Sequence, residues 1–340
     1  MTMSQSPLRI TFIGRYTEGT TGIVRSIFMG LLELGHTVQE INVGTRTSLL
    51  YNPNRRMGGN GPVYVRLELI REELRAFKPD LIICCAGGLT FVSRDMAELK
   101  RLAPVWGITL SDPDVFPTIS VYAHEFSYHT TNSQLAYRRY LNRGFNNIGF
   151  MPFAVDSRFF VPRPPNPNYQ CDVAIVGHAR PDRVPLAKRL QAKFGAVLYG
   201  RNWPGGKGPV HGEEWFQAVY STKCLISFPK TGAGYTNVKV GVFEAAATGR
   251  LMLVPYFEEI KRYFDYDREI VGFSNEQELF EKLSYYLRHE DERNRIAEAA
   301  RMRCALEHTW AKRLSPFIER AANSSANRFR AKHREDMGNQ

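Results

Sequence analysis

The sequence predicts an α/β protein made of two doubly wound domains facing each other across a cleft. Three observations predict it. Short β-rich runs alternate with helical segments along the whole chain, which implies parallel sheets with helical crossovers. The alternation restarts after VPRPPNPNYQ (161–170), whose four prolines make a stiff connector poor in hydrogen bonds. Finally, 340 residues that are 43% hydrophobic and 12% aromatic can fill two cores of about 150 residues each. The expected organisation is an N-terminal domain over 1–160, a C-terminal domain over 171–320 and a frayed, mildly basic tail over 321–340.

The first domain opens with LRITFIG, a strand stopping at Gly14, then the polar loop RYTEGTTG and an apolar-periodic helix, IVRSIFMGLLELG, ending at Gly35. HTVQEINV reads as a strand and VYVRLELIREELRAFKPD as a helix stopped by Pro79. Strands follow in LIICCAG, PVWGITLSD, SYHTTNS and NIGFMPFA, with the helix QLAYRRYLNRG between the last two. The second domain begins with the strand DVAIVG, ending at Gly177. After it come RPDRVPLAKRLQAKFG as loop and helix, AVLYG as a strand, GEEWFQAVYST as a helix and KCLISF as a strand. NVKVGVFEAAATG is a helix, RLMLVP and REIVGFS are strands, and residues 275–309 form one or two long amphipathic helices.

The net charge of +11 is spread without a dominating block, so it leaves room for an anionic substrate or a nucleic-acid surface but demands neither. Five cysteines (84, 85, 171, 224, 304), odd in number and without a Cys-x-x-Cys pair, read as buried thiols of a reducing compartment, not a disulfide framework or zinc site. The N-terminus lacks a secretory pattern and no run of 18 apolar residues occurs. A cytoplasmic protein without integral membrane contact is expected.

In VFEAAATG one carboxylate, Glu244, stands in a segment that otherwise reads as buried helix, so it either reaches solvent or holds a ligand. GHARPDR places His178, Arg180 and Arg183 directly after the strand-ending Gly177, at the carboxyl end of a strand where ligands of such sheets bind. LYGRNW ends another strand at Gly200 and carries Trp203, and Asn237 and Lys239 lead into the Glu244 helix. In the first domain, Gly14, Thr20, Thr21 and Gly22 belong to a glycine-bearing loop that is no complete Walker or dinucleotide fingerprint.

Taken together, CDVAIVGHARPDRVPLAKRL, LYGRNW, VFEAAATG, the segment from REIVGFS to HTWAKRL, and HTTNSQLAYRRYLNRGFNNIGFMPFAVDSRFFVP resemble the spore-maturation-type (CgeB-like) glycosyltransferases of the GT-B superfamily, related to glycosyltransferase group 1. The resemblance covers roughly residues 105–315. It implies two Rossmann-like domains, a nucleotide-sugar donor held by the C-terminal one, an acceptor held by the N-terminal one, and no metal or other cofactor. A UDP-sugar is the first-choice donor. The resemblance makes Glu244 the ribose-binding glutamate, at a helix start that would ease its charge. Two departures stand out: Gly241 replaces a common arginine, for which Lys239 would substitute, and Met252 occupies the place of a second glutamate. Donor-binding candidates are therefore Gly14, Thr20, Thr21, Gly22, Gly177, His178, Arg180, Arg183, Gly200, Asn237, Lys239 and Glu244. Arginine and lysine would absorb the charge collecting on the leaving diphosphate.

On the acceptor side, LSDPDVF offers Asp112 and Asp114, and VYAHEFSYHT offers His124, Glu125 and His129; Asp112 is the first choice as base and His124 the second. The loop at 44–61, with Arg55 and Arg56, would receive an anionic acceptor. The acceptor stays open, DNA included. A glycosyltransferase acting on modified DNA bases and a non-catalytic nucleotide- or glycan-binding protein remain the alternatives.

Overall fold

The computed structural model describes residues 6–16, 22–51, 62–85, 88–161 and 163–324. Thr20 and Thr21, Arg55 and Arg56, and the tail beyond 324 lie outside them. The chain begins with β1 (Arg9–Gly14), α1 (Ile23–Glu33), β2 (Thr37–Asn42), β3 (Leu50–Tyr51), β4 (Val63–Val65), α2 (Arg71–Phe77), β5 (Leu81–Cys85), β6 (Leu89–Thr90) and α3 (Ser93–Leu102). It continues with β7 (Val105–Thr109), α4 (Phe116–Ile119), β8 (Tyr128–Thr131), α5 (Gln134–Asn142) and β9 (Ile148–Phe150). Six of these strands form a parallel sheet ordered β2-β1-β5-β7-β8-β9, and β3, β4 and β6 form a small separate one. The segment read from sequence as a single helix over 63–80 divides into β4, a 3-10 turn at 67–69 and the short α2. Its leading VYV alternates as a strand does, and Val63 and Tyr64 pair with Leu89 and Thr90.

The second unit contains β10 (Cys171–Val176), α6 (Val184–Phe194), β11 (Val197–Tyr199), α7 (Gly212–Tyr220), β12 (Thr222–Ile226), α8 (Val240–Ala247), β13 (Leu251–Pro255), β14 (Val271–Phe273), α9 (Glu276–Arg288) and α10 (Glu290–Glu307). Its five strands are parallel in the order β11-β10-β12-β13-β14. Strands such as β5 (LIICC), β7 and β13 read as unbroken apolar runs because helices cover both faces of a parallel sheet. Ile82, Phe91, Met96, Leu99, Phe116 and Tyr140 help fill the first core, and Val173, Leu190, Leu198, Leu251, Leu279 and Leu283 the second. Capping is local: Asn275 accepts the Glu278 N–H at 2.9 Å while the Glu278 carboxylate accepts from Ser274 N at 2.8 Å.

By contact the chain separates into one unit ending at Pro152 and a second spanning Phe153–Thr309, and the last helix, α11 (Trp310–Ala322), rejoins the first. Helix α11 was expected inside the second domain. It packs instead on α1, where Gly30 admits it: a Cβ on Gly30 would stand 2.9 Å from Trp310 Cβ and 3.2 Å from the Ala311 amide nitrogen. Trp310, Leu314 and Ile318, all buried, recur at the spacing of one helix face. Replacing Gly30 by valine should therefore destabilise the first unit by about 1–3 kcal/mol, read as a lower denaturation midpoint; an unchanged midpoint would show that α11 does not seal this face.

Candidate functional site

In the second sheet the chain runs from β10 to β11 on one side and then crosses to β12 on the other. This reversal leaves a crevice at the carboxyl ends of β10 and β12, the usual ligand position in open parallel sheets. A cavity of about 590 Å³ occupies it, within the range of small-molecule sites. Seven of the residues expected to hold a donor line this one cavity: Gly177, His178, Arg180, Arg183, Gly200, Lys239 and Glu244. His211, Trp215, Ser227 and Phe228 line it too, and the sequence reading did not single them out.

Its rim rests on two glycines. Gly177 N–H donates to Tyr199 O at 2.8 Å, and Gly200 lies so close that a Cβ there would come within 2.0 Å of the Gly177 carbonyl oxygen. The φ values of +144° and +137° suit glycine alone. Trp203, buried beneath, donates its indole N–H to Gly177 O at 2.6 Å. It braces the rim and does not line the cavity.

The cationic wall is built on a single backbone oxygen. The carbonyl of Lys230 accepts from Arg180 at 3.0 Å, from an Arg183 terminal nitrogen at 2.9 Å, and from the Lys239 ammonium. Arg180 also donates to Thr231 O and pairs with Asp182 at 3.4 Å. Arg183 is only 9% exposed, lies over the Phe228 ring at 5.1 Å, and has a buried Nε without a hydrogen-bond partner. Burial and the Arg180 charge hold its pKa below the ordinary arginine range. The hairpin carrying Lys230 is closed by Asn237 N–H to Pro229 O at 3.0 Å and Thr231 N–H to Tyr235 O at 2.7 Å. Asn237 is thus buried at the hairpin base and does not line the cavity. The Glu259 carboxylate accepts from the Val238 backbone and anchors the same hairpin. Its weight is invisible in sequence, because the contact joins residues on separate loops.

Glu244 faces this wall from α8. It is the fifth residue of the helix and not in the first turn, so the expected help from the helix terminus is absent. Burial, with Asp156 nearby, pushes its pKa up to about 8, so the side chain is mostly protonated at neutral pH. No hydrogen bond or ion pair engages it among the described residues. Asp156 itself is gripped by Arg158 at 2.8 and 2.5 Å. At Gly241, one turn before Glu244, a side chain would meet open space, so the cavity extends where an arginine had been expected.

The first-unit candidates do not gather in the same way. Gly14 ends β1 and is buried, and Gly22 caps α1. Asp112 follows β7 as expected but is 2% exposed, accepts the Thr131 hydroxyl at 2.6 Å, and is tied to Asn132 through its backbone. Burial lifts its pKa to about 6, although the Thr131 hydrogen bond opposes the rise. This carboxyl joins the ends of β7 and β8 and is not open to an acceptor. His124 sits at the opposite end of the sheet. The chain must return to the amino edge before β8 can run parallel to β7, and His124 lies on that return, three residues before Ser127 N–H meets Val105 O. It is therefore removed from the candidate base set. His129 is fully buried, and burial drives its pKa down to about 3, so it is neutral. Glu125 accepts from Ser93, and Asp114 is exposed.

Compared with known proteins, residues 183–319 match the family model described as glycosyl transferase-like. Among solved structures, a glycosyltransferase from Rickettsia africae superposes with a TM-score of 0.61 at 14% identity, covering 94% of this chain and 99% of that one. HepE of Anabaena, solved with UDP and glucose, gives 0.57 at 12% identity, with 92% and 98% covered. A sucrose-phosphate synthase from Thermosynechococcus elongatus gives 0.58 at 11% identity, with 96% and 100% covered. A search of curated protein sequences finds no match. The chain thus has the GT-B fold of two Rossmann-like domains, and its glycosyl transferase-like region covers most of the second unit and runs on into α11. The narrower spore-maturation resemblance is not among these matches.

Because the Glu244 pKa rises from 4.5 to about 8 on folding, its ionisation opposes folding progressively between those pH values and at full strength above them. Glu244→Gln should therefore leave the stability of the ligand-free protein almost unchanged at pH 5. At pH 8.5 it should raise it by about 1–3 kcal/mol. Thermal unfolding at the two pH values checks this, and a variant less stable at pH 8.5 would show that Glu244 is structurally satisfied.

Proposed function

We propose that the protein is a nucleotide-sugar-dependent glycosyltransferase whose donor, a UDP-sugar, binds in the cavity of the second unit. The observation that carries this reading is the convergence of Arg180, Arg183 and Lys239 on one neutral carbonyl beside the unengaged Glu244. A carbonyl is a weak counterpart for three cations. A diphosphate would supply a charged acceptor at the point where they meet, with arginine suited to bidentate contact. Glu244 stands where the two hydroxyls of a ribose could share hydrogen bonds with it, and even its protonated form can both accept and donate. The fold relationship to HepE, itself solved with UDP and glucose, supports a uridine nucleotide.

In this reading the sugar–phosphate bond breaks with oxocarbenium-like charge on the sugar and negative charge gathering on the diphosphate. Arg180, Arg183 and Lys239 stabilise that charge in place of a metal ion. Binding draws them from the Lys230 carbonyl to the phosphates, so the cost of desolvating them is met largely before the ligand arrives. The acceptor belongs to the first unit and is a hydroxyl of a class still to be identified. Asp112 organises the strand ends there and is not proposed as the base.

UDP should raise the melting temperature more than GDP or dTDP. Arg183→Gln and Lys239→Gln should each weaken UDP binding about 10–100-fold, the loss of a charge-assisted hydrogen bond. Glu244→Ala should cost about 1–3 kcal/mol of the same affinity. Release of UDP from UDP-sugars in the presence of EDTA tests the metal-independent chemistry. Absence of any nucleotide binding, or abolition of turnover by EDTA, would overturn the corresponding part of the proposal.

A further inference from the structure

We propose that the second unit carries a second anion-binding site, for a phosphorylated small molecule, centred on Arg250 at the amino ends of its strands. A cavity of about 570 Å³ opens there, lined at the strand starts by Cys171, Asp172, Thr222, Lys223, Arg250 and Leu251. A further chamber of about 290 Å³ shares Tyr220, Gly249 and Arg250 with it. Arg250 is therefore common to both spaces. These strands are β10, β12 and β13, and their opposite, carboxyl ends form the donor cavity, so the two sites lie at the two ends of one sheet.

The other charged groups around this space are already matched. Lys223 pairs with Asp172 at 2.8 Å. Arg293, 5% exposed, pairs with Glu290 at 3.2 Å and donates to Tyr286 O at 3.1 Å, closing the end of α9. Arg163 pairs with Glu213, and Arg301 with Glu298 at 2.5 Å. Arg250 differs. Among the described residues it has no carboxylate partner and no hydrogen bond, its Nε is shut away from solvent without an acceptor, and only the Tyr220 ring lies against its guanidinium, at 5.9 Å. Burial and the neighbouring Arg293 hold its pKa below the usual arginine range.

A guanidinium nitrogen shut away from water without an acceptor is costly, and buried polar atoms in folded proteins are normally paired. An oxyanion resolves the imbalance, since its oxygens match the planar fork of the guanidinium. The lining residues Gln170, Ser221, Thr222 and Asn294 bring hydroxyl and amide groups for the remainder of a polar molecule. The space exceeds what one phosphate fills, which points to a phosphorylated small molecule of sugar size.

Calorimetry on Arg183→Gln protein, in which the donor-side cation wall is weakened, separates this site from the other. Inorganic phosphate and glucose 6-phosphate are each titrated at constant ionic strength. Saturable one-to-one binding of either, at least ten-fold weaker after Arg250→Gln and intermediate with Arg250→Lys, is the expected result. Tighter binding of glucose 6-phosphate identifies an organic ligand, and tighter binding of phosphate the free ion. In the unaltered chain, the tighter of the two should slow phenylglyoxal modification of Arg250, read by peptide mass spectrometry, whether or not the variants fold. No saturable binding in the Arg183→Gln protein, binding indifferent to both Arg250 substitutions, or labelling of Arg250 unaffected by either ligand would overturn the proposal. Failure of UDP to bind would leave this result standing, because the measurement does not depend on the donor reading.

Discussion

One backbone oxygen organises the second unit's site. Three cationic side chains from two separate segments meet at the carbonyl of Lys230, and a dipole of that size cannot neutralise them. What keeps them together is the surrounding frame: the rim glycines, the closed hairpin and the Glu259 anchor hold the charges in place before any ligand arrives. Preorganisation of this kind is where electrostatic catalysis gains most, because the reaction then requires little movement of polar groups. The half-buried acid across the cavity obeys the same logic. Among the described residues it is left without a hydrogen bond, its ionisation costs stability, and a polar ligand recovers that cost.

The two ends of the second sheet present a contrast. At the carboxyl end, Arg180, Arg183 and Lys239 converge on one backbone oxygen. At the amino end, Arg250 stands almost alone while each of its neighbours has found a carboxylate. The first arrangement suits an extended polyanion and the second a single anionic group. Both depend on guanidinium chemistry that lysine could not reproduce with the same geometry.

Much of this was legible in the sequence, for identifiable reasons. Strand ends marked by Gly177 and Gly200 locate the crevice because glycine is needed where two loops cross closely. Glu244 was conspicuous because an acid breaks an apolar helix. The Lys230 carbonyl was illegible, since no side chain marks a backbone acceptor, and Glu259 and Asp156 act through contacts between distant loops. His124 misled because its neighbourhood is rich in polar residues, while a strand's direction, which decides which end of the sheet a residue reaches, follows only from topology. Asp112 was found at the expected strand end, but tertiary burial turned it into a tie between strands. Helix α11 was misassigned because an amphipathic stripe says that a face is buried and not which core receives it.

The return of that last helix bears on biosynthesis. Among the described residues the second unit is one continuous stretch, Phe153–Thr309, and its core can assemble as soon as that stretch leaves the ribosome. The first unit must wait. Although most of it is synthesised earlier, the apolar face of α1 stays uncovered until Trp310, Leu314 and Ile318 have been translated. The part of the chain made first is thus the part finished last, and the open face of α1 is the surface a chaperone would shield during elongation.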